Sequence, residues 1–227
     1  MTDGPAHPLS TVVRAALAGR FPPADGRVER LPAWRPALEA VVSLTGHGFL
    51  CLGDGRAVPD EVAELAADGR GGLSDPRVVT ALAGAHVGRH DIDSLDVLLV
   101  AAGTSVAAAG HRLVARSEKT GHPRIDFARR LRDDVRAYVP AQQTGDDDVL
   151  VILATGLAGL TEMSVEVAAS RQGAGAATNA IRAALSEVPP GEPVVAMVAP
   201  GNAASLRAFL RAGFTPIGSA QVWHTSG

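Results

Sequence analysis

Arg171-Gln172-Gly173-Ala174-Gly175-Ala176-Ala177 sits where an apolar strand pattern gives way to a helical one. Glycines at such a turn let the backbone approach a ligand and aim several N–H groups inward, and the helix start adds the positive end of its dipole. The chemistry this favours is anion binding, and a pyrophosphate in particular. The turn lacks the Lys-Ser/Thr pair of a nucleotide triphosphatase loop. It also lacks the third glycine of a dinucleotide fingerprint, because position 178 is Thr. The plain structural alternative is a tight strand-to-helix connection.

Just upstream, Thr161 to Val167 alternates, with Thr161, Met163, Val165 and Val167 on one face and Glu162, Ser164 and Glu166 on the other. At about 3.3 Å per residue, Glu162 and Glu166 lie roughly 13 Å apart, too far for a tight acid pair. Read by themselves they are carboxylates facing solvent from a half-exposed strand. Other chemistry-bearing residues read more plainly. His86 and His90 have the i, i+4 spacing of a metal pair on a helix, but Gly88, Asp91 and Asp93 suggest a loop, and no metal is expected. His47 reads as a turn histidine within Thr45-Gly46-His47-Gly48. Arg124, Arg129, Arg130, Arg132 and Arg136 form a basic helix face salted by Asp126, Asp133 and Asp134. That is a solvated face, or a holder for an acidic group. Trp34 and Trp223 read as core, and Cys51 as a small buried hydrophobe.

The elements that must position these groups follow from the same patterns. Val149 to Leu153 is continuously apolar, as in a central strand. Ala177, Ile181, Ala184, Leu185 and Val188 recur at helical spacing, and Pro189 and Pro190 stop them. Val194 to Val198 is a second apolar strand. Asn202 caps a helix that runs to Ala212, with Gly213 beyond it. Phe214 to Trp223 is a closing strand broken by Pro216 and Gly218. The last hundred residues thus read as strand, strand, glycine turn, helix, strand, helix, strand, an α/β sheet packed by helices.

Earlier in the chain, Ser10 to Ala18, Pro59 to Ala67, Pro76 to Ala83 and Ile125 to Val135 read as helices, the last with Ala128, Leu131 and Val135 on one face. Pro22, Pro23, Pro32 and Pro36 enforce a loop. Glu39 to Leu52 reads as two strands around a turn. Leu95 to Ala102 is a buried strand or short helix, and His111 to Ala115 a short strand. Asp146-Asp147-Asp148 solvates a hairpin turn. Gly103, Gly110 and Gly121 mark the best boundary, between a mixed α/β segment at 1–105 and a second domain at 106–227.

Composition narrows the function. The 227 residues carry 21 basic and 24 acidic side chains, a net charge of −3. Without a basic field, a nucleic-acid partner is not expected. One cysteine excludes an intramolecular disulfide framework and a cysteine-rich zinc site. No signal-peptide pattern opens the chain, and no apolar run is long enough to span a bilayer, so a cytoplasmic protein without a membrane partner is expected.

Two blocks together carry a resemblance. Gln172, Gly175 and Ala177 fit the Gln/Arg-x-x-Gly-x-Gly/Ala pattern of the GNAT superfamily of acyl-CoA-dependent N-acetyltransferases. Pro200-Gly201-Asn202-Ala203-Ala204-Ser205, followed by Gly213-Phe214, resembles the second half of that family's signature. The resemblance covers about residues 148 to 223, and reaches back to about 106. The chain is also similar to uncharacterised actinobacterial-type members with an extra N-terminal segment. The resemblance implies a mixed sheet splayed open after Thr161–Val167, with acetyl-CoA as co-substrate in the opening. It implies strand-like pairing of the pantetheine arm with Val165 and Val167. It places the pyrophosphate on the amides of Gln172, Gly173, Ala174, Gly175, Ala176 and Ala177, with Asn202 beside the arm.

For catalysis, the resemblance implies direct transfer of an acetyl group to a small-molecule or peptide amine in a ternary complex, with Glu162 and Glu166 as candidate bases and Glu162, the farther from the phosphate turn, preferred. No activated Cys or Ser suggests a covalent intermediate. One position departs from the family: the Tyr that many members place seven residues after the Asn, as the acid for the leaving thiolate, is Phe209. That departure supports an alternative, a catalytically silent acyl-CoA-binding module of the same fold. A nucleotide-binding protein using the glycine turn is a third reading.

Overall fold

Prolines and glycines punctuate this chain, and its regular elements fall between them. The computed structural model describes residues 5–65, 72–84, 92–106, 111–116, 121–143 and 148–225. The chain divides into two units, Met1–Leu98 with Pro216–Gly227, and Leu99–Thr215. The expected division was near residue 105, with the whole C-terminal end in the second domain.

The first unit begins with helix α1 (Pro8–Leu17). Its cap is His7, not Ser10: the His7 ring accepts from the Leu9 N–H at 3.2 Å, while Ser10 is buried and its Oγ donates to the His7 carbonyl at 2.6 Å. Strand β1 (Val28–Pro32) occupies part of the expected proline loop, and Pro32 is tolerated there as its last residue. Strands β2 (Leu38–Leu44) and β3 (His47–Leu52) form the expected hairpin, followed by α2 (Asp60–Leu65) and α3 (Pro76–Ala83). Strand β10 (Thr215–His224) pairs antiparallel with β2 from Ser219↔Ser43 to His224↔Leu38, giving the order β1-β3-β2-β10. The expected break at Pro216 and Gly218 does not occur. Pairing with β2 starts only at Ser219, so the missing N–H of Pro216 removes no bond from that ladder. Trp223 is fully buried among Val62, Leu73, Val78 and Leu82.

The second unit has the strand order β4-β9-β8-β7-β6-β5. Its elements are β4 (Asp96–Ala102, which begins in the first unit), β5 (Leu113–Ala115), α4 (Pro123–Leu131), β6 (Asp133–Pro140), β7 (Val149–Thr155) and β8 (Thr161–Val167). After these come α5 (Ala176–Leu185), β9 (Pro193–Val198) and α6 (Ala203–Arg211). The sheet is mixed: β6, β7 and β8 are antiparallel neighbours, and β8 runs parallel to β9.

Here the reading of a helix through Val135 is corrected. Helix α4 stops at Leu131, Arg132 is extended (φ −138°, ψ 155°), and Val135 belongs to β6. Val135, Ala137 and Val139 pack with Ile125 and Ala128 of α4 and with Leu150, Ile152 and Ala154 of β7. Helix α5 packs against β7 and β8, and by the pleat it lies on their other face. Its Ile181 and Ala184 are fully buried. Among the described residues, no helix is long and apolar enough to cross a membrane.

Candidate functional site

The site is built where β8 leaves β9. Their parallel pairing is confined to Thr161↔Val194 and Glu162↔Val195, so Met163 to Val167 have no partner in β9. On its other side β8 pairs with β7 along its whole length. The strand edge this exposes runs into the turn before α5. A short 3₁₀ turn (Ala169–Arg171) and two left-handed glycines, Gly173 at φ 83° and Gly175 at φ 75°, bring the chain round. Among the described residues, nothing other than the adjoining residues lies within 4 Å of where a Cβ would project from either glycine. Among the described residues, no acceptor takes the N–H of Gly173, Ala174 or Gly175. The first turn of α5 adds N–H groups that have no intrahelical acceptor. The Gln172 side chain donates to the Val167 carbonyl at 3.3 Å and ties the turn to the strand.

Strand edge, turn and the opening of α6 enclose a cleft of about 490 Å³. Val165, Val167, Gln172, Gly173, Gly175, Ala176, Ala177 and Asn202 all line it, as do Arg171, Arg207 and Arg211. Ala174 instead lines a neighbouring cavity of about 300 Å³. Asn202 is the expected helix cap, its Oδ1 accepting from the Ser205 N–H at 3.1 Å. Sequence reasoning passed over Arg207 and Arg211, although their i, i+4 spacing after the Asn202 cap was a usable signal. The donor set (consecutive amides plus three guanidiniums, with Glu166 as the acidic member) suits a phosphate-bearing ligand.

Besides Ala174, two singled-out residues, Glu162 and Phe209, are not in the cleft lining. Glu162 is 3% exposed, so it is not a solvent-facing carboxylate. Its Oε1 lies 2.6 Å from Arg132 Nη2, and its Oε2 accepts from the Leu157 N–H at 3.1 Å. Arg132 is itself buried and also donates to Ser164 Oγ at 3.2 Å, so it is no part of a solvated helix face. Gly156 sits against this carboxylate, and a Cβ there would run into Glu162. Phe209 is 2% exposed and packs edge-on against Phe214, ring centres 4.9 Å apart.

Of the remaining candidates, His86 and His90 lie outside the described residues, as do Asp146 and Asp147. Among the described residues, no group of three or more His, Cys, Asp or Glu could hold a metal. His47 begins β3, where its Nδ1 meets Asp25 at 2.9 Å. Cys51 is buried, and burial pushes its thiol up to about 12.

No family model matches the sequence, and a search of curated proteins found no match. Among solved structures, a GCN5-related N-acetyltransferase from Kribbella flavida is 16% identical, with 61% of each chain covered and a TM-score of 0.40. An acetyltransferase of the GNAT family from Colwellia psychrerythraea is 14% identical, covering 59% of this chain and 57% of its own, at a TM-score of 0.36. A functionally unknown conserved protein from Staphylococcus epidermidis is 14% identical, covering 60% and 63%, at a TM-score of 0.39. The match thus spans about three fifths of the length of each of these structures. Structures of GNAT-family acetyltransferases are therefore among those to which this chain is similar.

Proposed function

We propose that this chain transfers an acyl group, acetyl in the simplest case, from an acyl-CoA to a small-molecule or peptide amine by direct attack in a ternary complex. One observation carries the reading. The edge of β8 that opens beyond Glu162 leads into a glycine turn of N–H groups without protein acceptors, flanked by three arginines. A thioester ligand's phosphates would rest on the amides from Gln172 to Ala177, with Asn202 beside its arm. Val165 and Val167 would offer strand-edge hydrogen bonds to amides of that arm. Acetyl-CoA would supply the activated acyl group, and the chain must polarise its carbonyl and give the amine's proton a path. The proposed base is Glu162, reached through water because its oxygens face Arg132 and Leu157. The proposed setting is the cytoplasm, without a nucleic-acid or membrane partner.

A second reading, an acyl-CoA-binding module without transfer, has Phe209 behind it. A phenyl ring locked against Phe214 brings no hydroxyl to a leaving thiolate. One thermal-shift series tests both readings, using acetyl-CoA, CoA, ATP and NAD with wild type and Ala177→Glu. Stabilisation by acetyl-CoA that the variant loses supports the cleft as the acyl-CoA site. An amine panel with labelled acetyl-CoA then separates transfer from binding alone. Stabilisation by ATP or NAD without CoA, or no shift from any CoA species, overturns the proposal.

A further inference from the structure

The cleft draws on two helices fixed side by side. Thr178, in the first turn of α5, places its Oγ1 3.5 Å from the Ala208 carbonyl oxygen of α6. One turn further along α5, Arg182 donates from Nη2 to the Arg211 carbonyl at 2.5 Å. The helices therefore run in the same direction, and α6 begins on the side where the glycine turn lies. Arg207 and Arg211 are four residues apart, so they share one face of α6. Side chains lean toward the start of their helix, which carries both guanidiniums toward the turn. Both arginines are exposed and both line the cleft. Among the described residues, neither side chain has a hydrogen bond or an ion pair. Glu166 is the one acid in the cleft lining, and it pairs with neither.

These two arginines exceed what a pyrophosphate needs. Each phosphate of a pyrophosphate diester carries about one negative charge, and the amides of a helix start suffice to hold it. A terminal phosphate monoester carries about two at neutral pH and turns several free oxygens to forked donors. Coenzyme A has such a group on its ribose 3′ oxygen, to the side of the pyrophosphate. We infer that Arg207 and Arg211 read this 3′-phosphate, so that the cleft selects acyl-CoA over its 3′-dephospho form. The inference rests on the acyl-CoA reading of the cleft and adds to it the chemical group that sets the choice of ligand.

The test is a calorimetric titration of the full chain with acetyl-CoA and with 3′-dephospho-acetyl-CoA, for wild type and for Arg207→Gln/Arg211→Gln. Wild type is expected to prefer acetyl-CoA by about tenfold or more, the scale of a charge-assisted contact. The double variant is expected to bind the two ligands within about twofold of each other, through weaker acetyl-CoA binding alone. Its affinity for the dephospho form should stay at the wild-type value, and its melting temperature should not move, since both positions are exposed. Equal affinities in wild type, with both lost in Ala177→Glu, would overturn the inference and leave the acyl-CoA reading standing. So would a preference that survives the double variant. A double variant that weakens both ligands alike would also overturn it, since the arginines would then serve the pyrophosphate. Binding of neither ligand to wild type would overturn the acyl-CoA reading and the inference with it.

Discussion

Among the described residues, each unit of this protein buries one glutamate to the same depth, 3% exposed, and holds it differently. In the first unit, Glu39 of β2 accepts from the Gly53 N–H at 2.9 Å and from Trp223 Nε1 at 3.2 Å. Its cation, Arg56, stands at 3.5 Å with a side chain 37% exposed. In the second unit, Glu162 of β8 accepts one backbone N–H and otherwise meets Arg132 at 2.6 Å, a cation buried almost as deeply as itself. The first carboxylate is satisfied by neutral donors that also fix strand and loop positions. The second is balanced by a counter-charge, and neither partner tolerates losing the other. A buried carboxylate alone thus says little about function; what balances it sets what its removal does.

The sharpest break of that contrast is Arg132→Met. It strands a buried carboxylate and should lower the unfolding free energy by about 3–5 kcal/mol in urea melts. Adding Glu162→Leu should return a large share of the loss, because an apolar pair replaces an ionic one.

Glu39→Gln should cost less, about 1–3 kcal/mol. The amide has one oxygen for two converging donors, and its NH₂ must face one of them. If the Glu39 variant proves the more damaging of the two, the contrast between counter-charge and neutral donors is wrong.

Gly156→Ala probes the packing around Glu162 more gently. The added methyl must displace the Glu162 side chain, at about 1–3 kcal/mol. Most of that penalty should vanish when Glu162→Ala is introduced first, as a double-mutant cycle would show.

The smallest effect belongs to an exposed reference pair. Hydrogen bonds from Arg77, side chain first and then backbone, hold Asp75 down to about 2 from the ordinary 3.8. A lowered carboxyl stabilises the fold above the ordinary value, and that share fades as pH falls from near 4 through about 2. Asp75→Asn keeps a capping oxygen for α3, so the difference between it and wild type isolates the charge. Their melting temperatures should differ slightly at pH 7 and converge below pH 2.

The legible parts of the sequence were those where one local rule sufficed. Alternation gave β8, the glycines gave the turn, and Asn202 gave the start of α6. That these elements gather Val165, Gly173, Gly175 and Asn202 at one cleft was not in any local rule; it came from the resemblance carried by the two motif blocks. Strand β6 was lost because Arg132-Asp133-Asp134 continues a helical charge pattern, although Val135, Ala137 and Val139 already alternate. The burial of Arg132 could not be read at all, since it depends on Glu162, thirty positions away. His7 as a cap was missed because a ring nitrogen can do what a hydroxyl usually does. The fall of β10 into the first unit depends on pairing with β2 across most of the chain.

That last pairing has a consequence during synthesis. Strand β2 leaves the ribosome well before its partner β10, since Ser219 follows its partner Ser43 by 219 − 43 = 176 residues. The second unit, ending at Thr215, is complete before the first one can close. At about 5–20 residues per second, β2 waits on the order of ten seconds or more with one backbone edge unpaired. Its seven residues are mostly buried and apolar in the finished fold, which is the kind of edge that recruits a neighbouring nascent chain. The yield of folded protein should therefore depend on how crowded its own polysomes are, and slowing initiation should raise it.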